Sequence, residues 1–510
     1  MATPTEEQLL ILNSIIYTDD FMLNGQNQSV YDWANSFDVG SIDEDNKPGE
    51  MSQAEFQNIL DTIEKNPDVY KDMMINDVTT EFAGSYEDDN ENTITQYSTN
   101  ATITYGNELI IVYKGTGGDT EWRDNGEGGY SNVTDTALQQ AALTYYDNMK
   151  EIHGGNKNIY VTGHSKGGNK AQYVGVLRGG NDELKHVYAF DGQGFGQAFL
   201  KKYQNLINKN KGKITNISNE YDFVNILLFP IAGNRKYIRS TTTWGIDNGS
   251  SSGIDKAFLH KFGGWHSPYS MFTTDKNGQL KLNDVVGQSE LMEQVHGLFK
   301  YYAQYMREED WRYLCYTIMS AMQKGKIPYG DDYSEMPDGF FDRLLALTKG
   351  YTDKTQGVDG QDIFQFIIEL FGVNKLSLLT GTLAGIGYSF IDGEGYTDMV
   401  RDFSQTTKDQ LLALIEEVEN EPWYDVSKWD VWYRIDKYLL GGVDFPANGE
   451  ELTSYYKKII DMQGTGSEEI RRIFTDVYDT EMDFNVKMEA RKNEADEILL
   501  LLKEVSGNFS

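Results

Sequence analysis

A chain of 510 residues with 39% hydrophobic and 13% aromatic content is a globular sequence longer than one hydrophobic core usually serves, so two domains are expected. Its net charge of −34 repels phosphate backbones and anionic membrane surfaces, which argues against nucleic acid as a partner. A single cysteine, Cys315, and six histidines without HExxH or HxH spacing give no disulfide, no thiolate cluster and no metal motif, so no cofactor or metal is expected.

The chain begins MATPTEEQLLILNSIIYTDDF, where Glu6, Glu7, Asp19 and Asp20 surround the apolar residues without a basic leader, so no secretory signal is read there. Residues 5–80 read as short amphipathic helices separated by polar loops such as GSIDEDNKPGE. The period then changes. ITQYSTNATITYGNELIIVYKGT alternates, is β-branched and turns at Gly106-Asn107, which predicts a hairpin and a central strand ending near Lys114. VTDTALQQAALTYYDNMKEIH predicts a helix capped by Asn132 or Thr134. NIYVTG predicts a buried strand, GGNKAQYVGVLRG a helix, KHVYAFDG a strand, FGQAFLKKYQNLINK a helix and KITNIS a further strand. Strands alternating with helices predict a parallel sheet.

Past residue 285 the alternation stops and the chain reads as helical, with Gly-rich or acidic connectors. LSLLTGTLAGIGYSFI, residues 376–391, is the longest uncharged apolar run. Its sixteen residues fall short of the about twenty that span a membrane, so it is read as a buried helix or helical hairpin, with an interfacial or membrane-inserting segment as the alternative; no transmembrane segment is expected, and transient membrane contact is left open. From Ile470 to Val505 apolar residues recur every three or four positions, which predicts one long helix with an apolar seam. The expected division is an α/β domain over 1–285, opening with N-terminal helices in 1–80, and an all-helical domain over 286–510. The terminal seam of the second packs on its own helices or on a partner protein.

The chemistry-bearing stretch is Gly163-His164-Ser165-Lys166-Gly167, between a predicted strand and a predicted helix. Small residues beside the serine tolerate a strained turn that holds its hydroxyl clear of the backbone. Such a serine needs a base, and the base an orienting carboxylate, in the order Ser, Asp, His on an α/β-hydrolase sheet. Asp222 in SNEYDFVN and His266 in GGWHSPYS satisfy that order; Asp191 in YAFDGQG and His260 in FLHKF compete with them. Upstream, LIIVYKGTGGDTEWRDN ends a buried strand in a Gly-rich turn whose N–H groups suit an oxyanion, and it lacks the G-x4-G-K-[ST] of a phosphate loop. Between Asp222 and His266, apolar residues at 226–232 and a Ser/Gly tract suit a lid or acyl-chain wall, with a plain surface excursion as the alternative.

Together these residues resemble the class 3 lipases. Those carry an aromatic-Arg-Gly-Ser/Thr turn with a Trp six residues later; here Tyr113-Lys114-Gly115-Thr116 is followed by Trp122, Asp124 and Asn125. Their G-H-S-L-G-G elbow is matched by Gly163-His164-Ser165-Lys166-Gly167-Gly168, with lysine in place of the apolar residue, as in a bacterial branch of the family. Their N-E-x-D-x-V stretch is matched by Asn219–Val224, and their H-x-x-Y-like loop by His266–Tyr269. FDGQGFG departs from their G-x-P-x-x-G, and Lys114 from their Arg. The resemblance covers about residues 80–275. It implies an α/β-hydrolase fold, a Ser165–His266–Asp222 triad, an oxyanion hole from the N–H groups of Thr116 and Lys166, and no cofactor. The implied activity is hydrolysis of lipid acyl esters, of the lipase or phospholipase A type. The helical C-terminal region loosely resembles targeting domains of bacterial proteins exported by the type VII route, which implies secretion without a cleavable signal and small helical partner proteins. The alternatives are a hydrolase-fold binding or scaffold protein with a vestigial elbow, a thioesterase or small-ester esterase, and a cytoplasmic location.

Overall fold

The computed structural model describes residues 3–44, 47–87, 93–129, 133–241 and 264–322, with isolated positions between 337 and 351. The 376–391 run, the 467–505 seam, His260 and the Ser/Gly tract lie outside the described residues.

Five short helices open the chain: α1 (Glu6–Ile15), α2 (Asp19–Asn24), α3 (Val30–Ser36), α4 (Gln53–Glu64) and α5 (Pro67–Tyr70). Their starts are local chemistry. Thr5 with Gln8 and Ser52 with Glu55 form reciprocal capping boxes, each satisfying two orphan backbone donors. A mixed sheet follows. β1 (Met73–Glu87), β2 (Thr93–Tyr105) and β3 (Glu108–Tyr113) are antiparallel, and Gly106, with φ 58°, takes the left-handed position in the β2–β3 turn. From β3 onward the pairing is parallel, through β4 (Asn158–His164), β5 (Leu184–Phe190), β6 (Ile214–Asn219) and β7 (Asn234–Ile238). β8 (Phe272–Thr274) and β9 (Leu280–Leu282) pair separately, and β10 (Val285–Val286) closes the large sheet antiparallel to β7. The eight strands of that sheet lie in the order β1-β2-β3-β4-β5-β6-β7-β10.

The period of two along β3 divides the core. Ile110 and Val112 pack with Leu9, Leu12, Trp33 and Ile59 of the N-terminal helices. Between β3 and β4 the segment read as a turn continues into a helix, α6 (Asp119–Glu127). Leu109, Ile111 and Tyr113 pack on the other face with Tyr145, Val174 and Phe199, from the helices α7 (Ala137–Met149), α8 (Lys166–Arg178) and α9 (Gln197–Asn210). The cap of α7 is Thr136, not Asn132 or Thr134, because Thr136 has a glutamine, Gln139, three residues on to complete a capping box.

The compact unit runs past the expected edge at 285 and takes in the helices Glu290–Tyr305 and Glu308–Met322. Met292, Val295, Leu298, Phe299 and Tyr302 recur at helical spacing and are all buried, Phe299 edge-on to Phe223. The Trp311 indole N–H donates to Gly129 O at 2.7 Å. This packing also changes the reading of 226–232: Ile226, Leu227, Leu228 and Ile231 are buried core residues rather than an exposed acyl-chain wall. Among the described residues no helix is long and apolar enough to cross a membrane.

Burial, with the positive charges of Lys300 and Arg235 beside it, pushes His296 down to about 4. A folded-state value below the ordinary 6.5 means the unfolded chain takes up this proton first as pH falls. His296 therefore lowers stability between pH 6.5 and about 4, by roughly 1.4 kcal/mol per pH unit at most. Chemical denaturation of His296→Gln is expected to show a shallower loss of stability across that window than the unsubstituted protein. Parallel curves would place the acid sensitivity elsewhere.

Candidate active site

β3 and β4 end side by side, with Tyr113 paired to Gly163, so the turns that follow them meet at one edge of the sheet. After β4 the chain reverses sharply into α8. Ser165 sits at the reversal with φ 59° and ψ −124°, a left-handed conformation that costs a non-glycine residue on the order of 1–3 kcal/mol. The surroundings enforce it: Ser165 N–H donates to Phe190 O at 2.9 Å, and Asn169 N–H to Ser165 O at 3.1 Å. Neither flanking glycine tolerates a side chain. A Cβ on Gly163 would stand 2.1 Å from the Gly167 carbonyl, and one on Gly167 2.0 Å from Tyr113 O.

His266 lies in the helical turn just before Ser267 and reaches both partners. Its Nε2 is 2.7 Å from Ser165 Oγ and its Nδ1 2.7 Å from Asp222 Oδ1. A carboxylate only accepts, so Nδ1 carries the proton and Nε2 offers its lone pair to the serine hydroxyl. Asp222 is fully buried, and its Oδ2 accepts from the Asn225 N–H at 2.8 Å and the Asn225 Nδ2 at 2.7 Å. Asn219, at the end of β6, donates to Ser270 Oγ at 2.8 Å, and Ser270 Oγ donates to Trp265 O at 3.0 Å, which ties the His266 turn to the sheet.

His164 supports that turn from behind. Its Nε2 lies 2.8 Å from the His266 carbonyl, which only accepts, so Nε2 donates and Nδ1 accepts from the Tyr17 hydroxyl at 2.8 Å. Burial, reinforced by His266, holds His164 well below its ordinary value, so the ring is neutral. Asp191 also stands at a strand end, with φ 45°. Its Oδ1 accepts from Asn219 N–H at 2.8 Å, while its buried Oδ2 has no hydrogen-bond partner and lies 3.8 Å from His164 Nε2. Burial, with the Asp222 charge beside it, pushes Asp191 well above the usual carboxylate range, which favours its protonated form. The structure thus puts Asp222, not Asp191, against His266.

Thr116 and Lys166 follow the ends of β3 and β4. Lys166 is the first residue of α8, so its N–H is one of the helix donors without an intrahelical acceptor. The Thr116 hydroxyl accepts from Asn125 Nδ2 at 2.8 Å, and Gly115 is packed so closely under Tyr17 that a Cβ would lie 2.0 Å from its hydroxyl oxygen. The Lys166 side chain, which replaces the expected apolar residue, is buried and reaches Asp124 at 2.5 Å. Among the described residues, His164, Asp191 and His266 are the group whose ligating atoms lie close enough to hold a metal, within 4.8 Å. All four imidazole nitrogens are engaged in the hydrogen bonds above, so the arrangement fits proton handling better than ligation.

A family model described as Mbeg1-like matches residues 70–229, from the start of the sheet through Ser165 to Asp222. Among solved structures, the chain is similar to the lipase propeptide complex of Rhizomucor miehei, at 12% identity and a TM-score of 0.25, over 45% of this chain and 66% of that one, just under two thirds. It is similar to lipase II of Rhizopus niveus, at 13% identity and a TM-score of 0.26, over 47% and 83% of the two chains. A triacylglycerol lipase of Penicillium expansum matches at 15% identity and a TM-score of 0.23, over 33% and 70%. No curated protein matches.

Proposed function

We propose that the protein is a serine hydrolase that cleaves the acyl esters of lipids, of the lipase or phospholipase A type. The observation that carries this reading is the continuous hydrogen-bonded chain from Ser165 through His266 to the buried Asp222. In the proposed reaction, Ser165 Oγ attacks the ester carbonyl while His266 Nε2 takes its proton. Asp222 stabilises the resulting imidazolium, and the N–H groups of Thr116 and Lys166 receive the oxyanion. His266 then protonates the departing alkoxide, leaving an acyl-Ser165. Water, deprotonated by His266, attacks that ester, and the serine leaves with the proton returned. The lipid substrate is supported by the four motifs, in order, that resemble the class 3 lipases.

A fluorophosphonate probe is expected to label the protein, with the adduct mapping to Ser165. Rates on a p-nitrophenyl ester series and on phosphatidylcholine vesicles are expected to favour long chains, since each buried methylene is worth about 0.8 kcal/mol. A steady fall from the acetyl ester upward would make it a small-ester esterase. Absence of both labelling and hydrolysis would leave the vestigial binding protein.

A further inference from the structure

We infer that the buried Lys166–Asp124 pair, with Asn125, sets the spacing of the two oxyanion-hole amides, so that these side chains are positioning residues of the reaction. The inference rests on the hydrolase reading and deepens it. Thr116 and Lys166 carry those amides on different segments, and α6 touches both. Lys166 Nζ lies 2.5 Å from Asp124 Oδ1 and 3.4 Å from the Asp124 carbonyl, with the two side chains 1% and 0% exposed. The other carboxylate oxygen of Asp124 accepts from Leu138 N–H at 2.9 Å, fixing α6 to the first turn of α7. One residue on, Asn125 Nδ2 donates to Thr116 Oγ1 at 2.8 Å, and the Asn125 carbonyl accepts from Gln193 Nε2 at 3.2 Å. One turn earlier, the Glu121 carboxylate accepts from Gly117 N–H at 2.7 Å, holding the same turn as Thr116.

An apolar residue at position 166 would fill the same space. Buried ion pairs are often matched or surpassed in stability by apolar replacements, so stability alone does not call for lysine here. What lysine adds is direction: the close ion pair with Asp124 Oδ1, together with the Lys166 Nζ donation to the Asp124 carbonyl, fixes where α6 lies relative to the elbow. Oxyanion donors act through preorganised distance, and a displacement of about 1 Å is enough to cost turnover.

The test is the double substitution Lys166→Met/Asp124→Asn, which removes both charges together and keeps an acceptor for Leu138 N–H. Fluorophosphonate titration counts active sites, and kcat and KM are then measured per site on p-nitrophenyl butyrate. The expected result is a folded protein with KM within a few-fold of the unsubstituted enzyme and kcat per site lower by roughly 10- to 100-fold. Affinity for an alkyl trifluoromethyl ketone, which forms the tetrahedral oxyanion, is expected to fall in parallel. A merely structural pair would change the number of active sites and leave kcat per site untouched, and that result would overturn the inference. Should the double variant not fold, Asn125→Leu removes the Thr116 tie without leaving a charge, and an unchanged kcat per site there would overturn it equally. Failure of the underlying reading shows differently, as an unsubstituted protein that neither labels nor hydrolyses, and it takes this inference with it.

Discussion

Ser165→Ala and His266→Ala are each expected to lower kcat for ester hydrolysis by on the order of 10⁶-fold while leaving the fold intact, because triad members act as one unit. Both side chains reach solvent in part, and the hydrogen bonds they make are to each other and to Asp222, while the His266 ring also packs against His164. Alanine at 165 keeps the Cβ and the strained backbone, and the Phe190 carbonyl still holds the residue-165 N–H. The double variant should lose little more than either single one, since the second change removes a group that can no longer act. Lipid analysis of vesicles incubated with each variant and with unsubstituted protein reads the loss directly, and a thermal melt checks the fold. Hydrolysis that persists in Ser165→Ala at more than a hundredth of the original rate would place the nucleophile elsewhere.

The residues most legible from sequence are those whose identity is dictated by crowding. Gly163 and Gly167 have no room for a Cβ, so a small-residue signature around Ser165 survives in the one-dimensional string. The β3 strand is legible because it is buried on both faces, where alternate residues serve two different cores and the whole run is apolar. Helix α6 is not. DTEWRDNGE is mostly polar and carries an internal glycine, and its helix is held by tertiary ties at Asp124 and Asn125 rather than by its own propensity. Tyr17 and the Asp124–Lys166 pair are silent in the sequence because the partners are remote: Tyr17 meets His164 across 147 residues, and Asp124 meets Lys166 across 42. The choice between Asp191 and Asp222 is likewise open to local reading. Both stand just past strand ends in polar turns, and what separates them is which carboxylate the His266 ring faces.

That separation is testable. Asp222→Asn is expected to cost about 10⁴-fold in kcat through the wrong histidine tautomer. The direction of the new amide is set in advance. The Oδ2 position receives two donors from Asn225, so the amide oxygen is drawn there and the NH₂ is turned toward His266. An NH₂ facing Nδ1 makes that nitrogen the acceptor, moves the proton to Nε2, and leaves nothing to take the Ser165 proton. Asp191→Asn is expected to change kcat only a few-fold, because the His266 ring bonds Asp222 and Ser165 rather than Asp191, and an amide keeps the acceptor for Asn219 N–H. Its effect should appear in stability instead. A folded-state pKa raised above the ordinary 3.8 contributes stability that is present below that value and lost as pH rises, since the folded chain must hold a proton the unfolded chain releases. Asp191→Asn, which has no proton to hold, should therefore match the unsubstituted protein near pH 4 and melt at a higher temperature by pH 8. If Asp191→Asn instead abolishes turnover with normal stability, and Asp222→Asn does not, the orienting carboxylate is Asp191 and the site works by a different hydrogen-bond chain from the one drawn here.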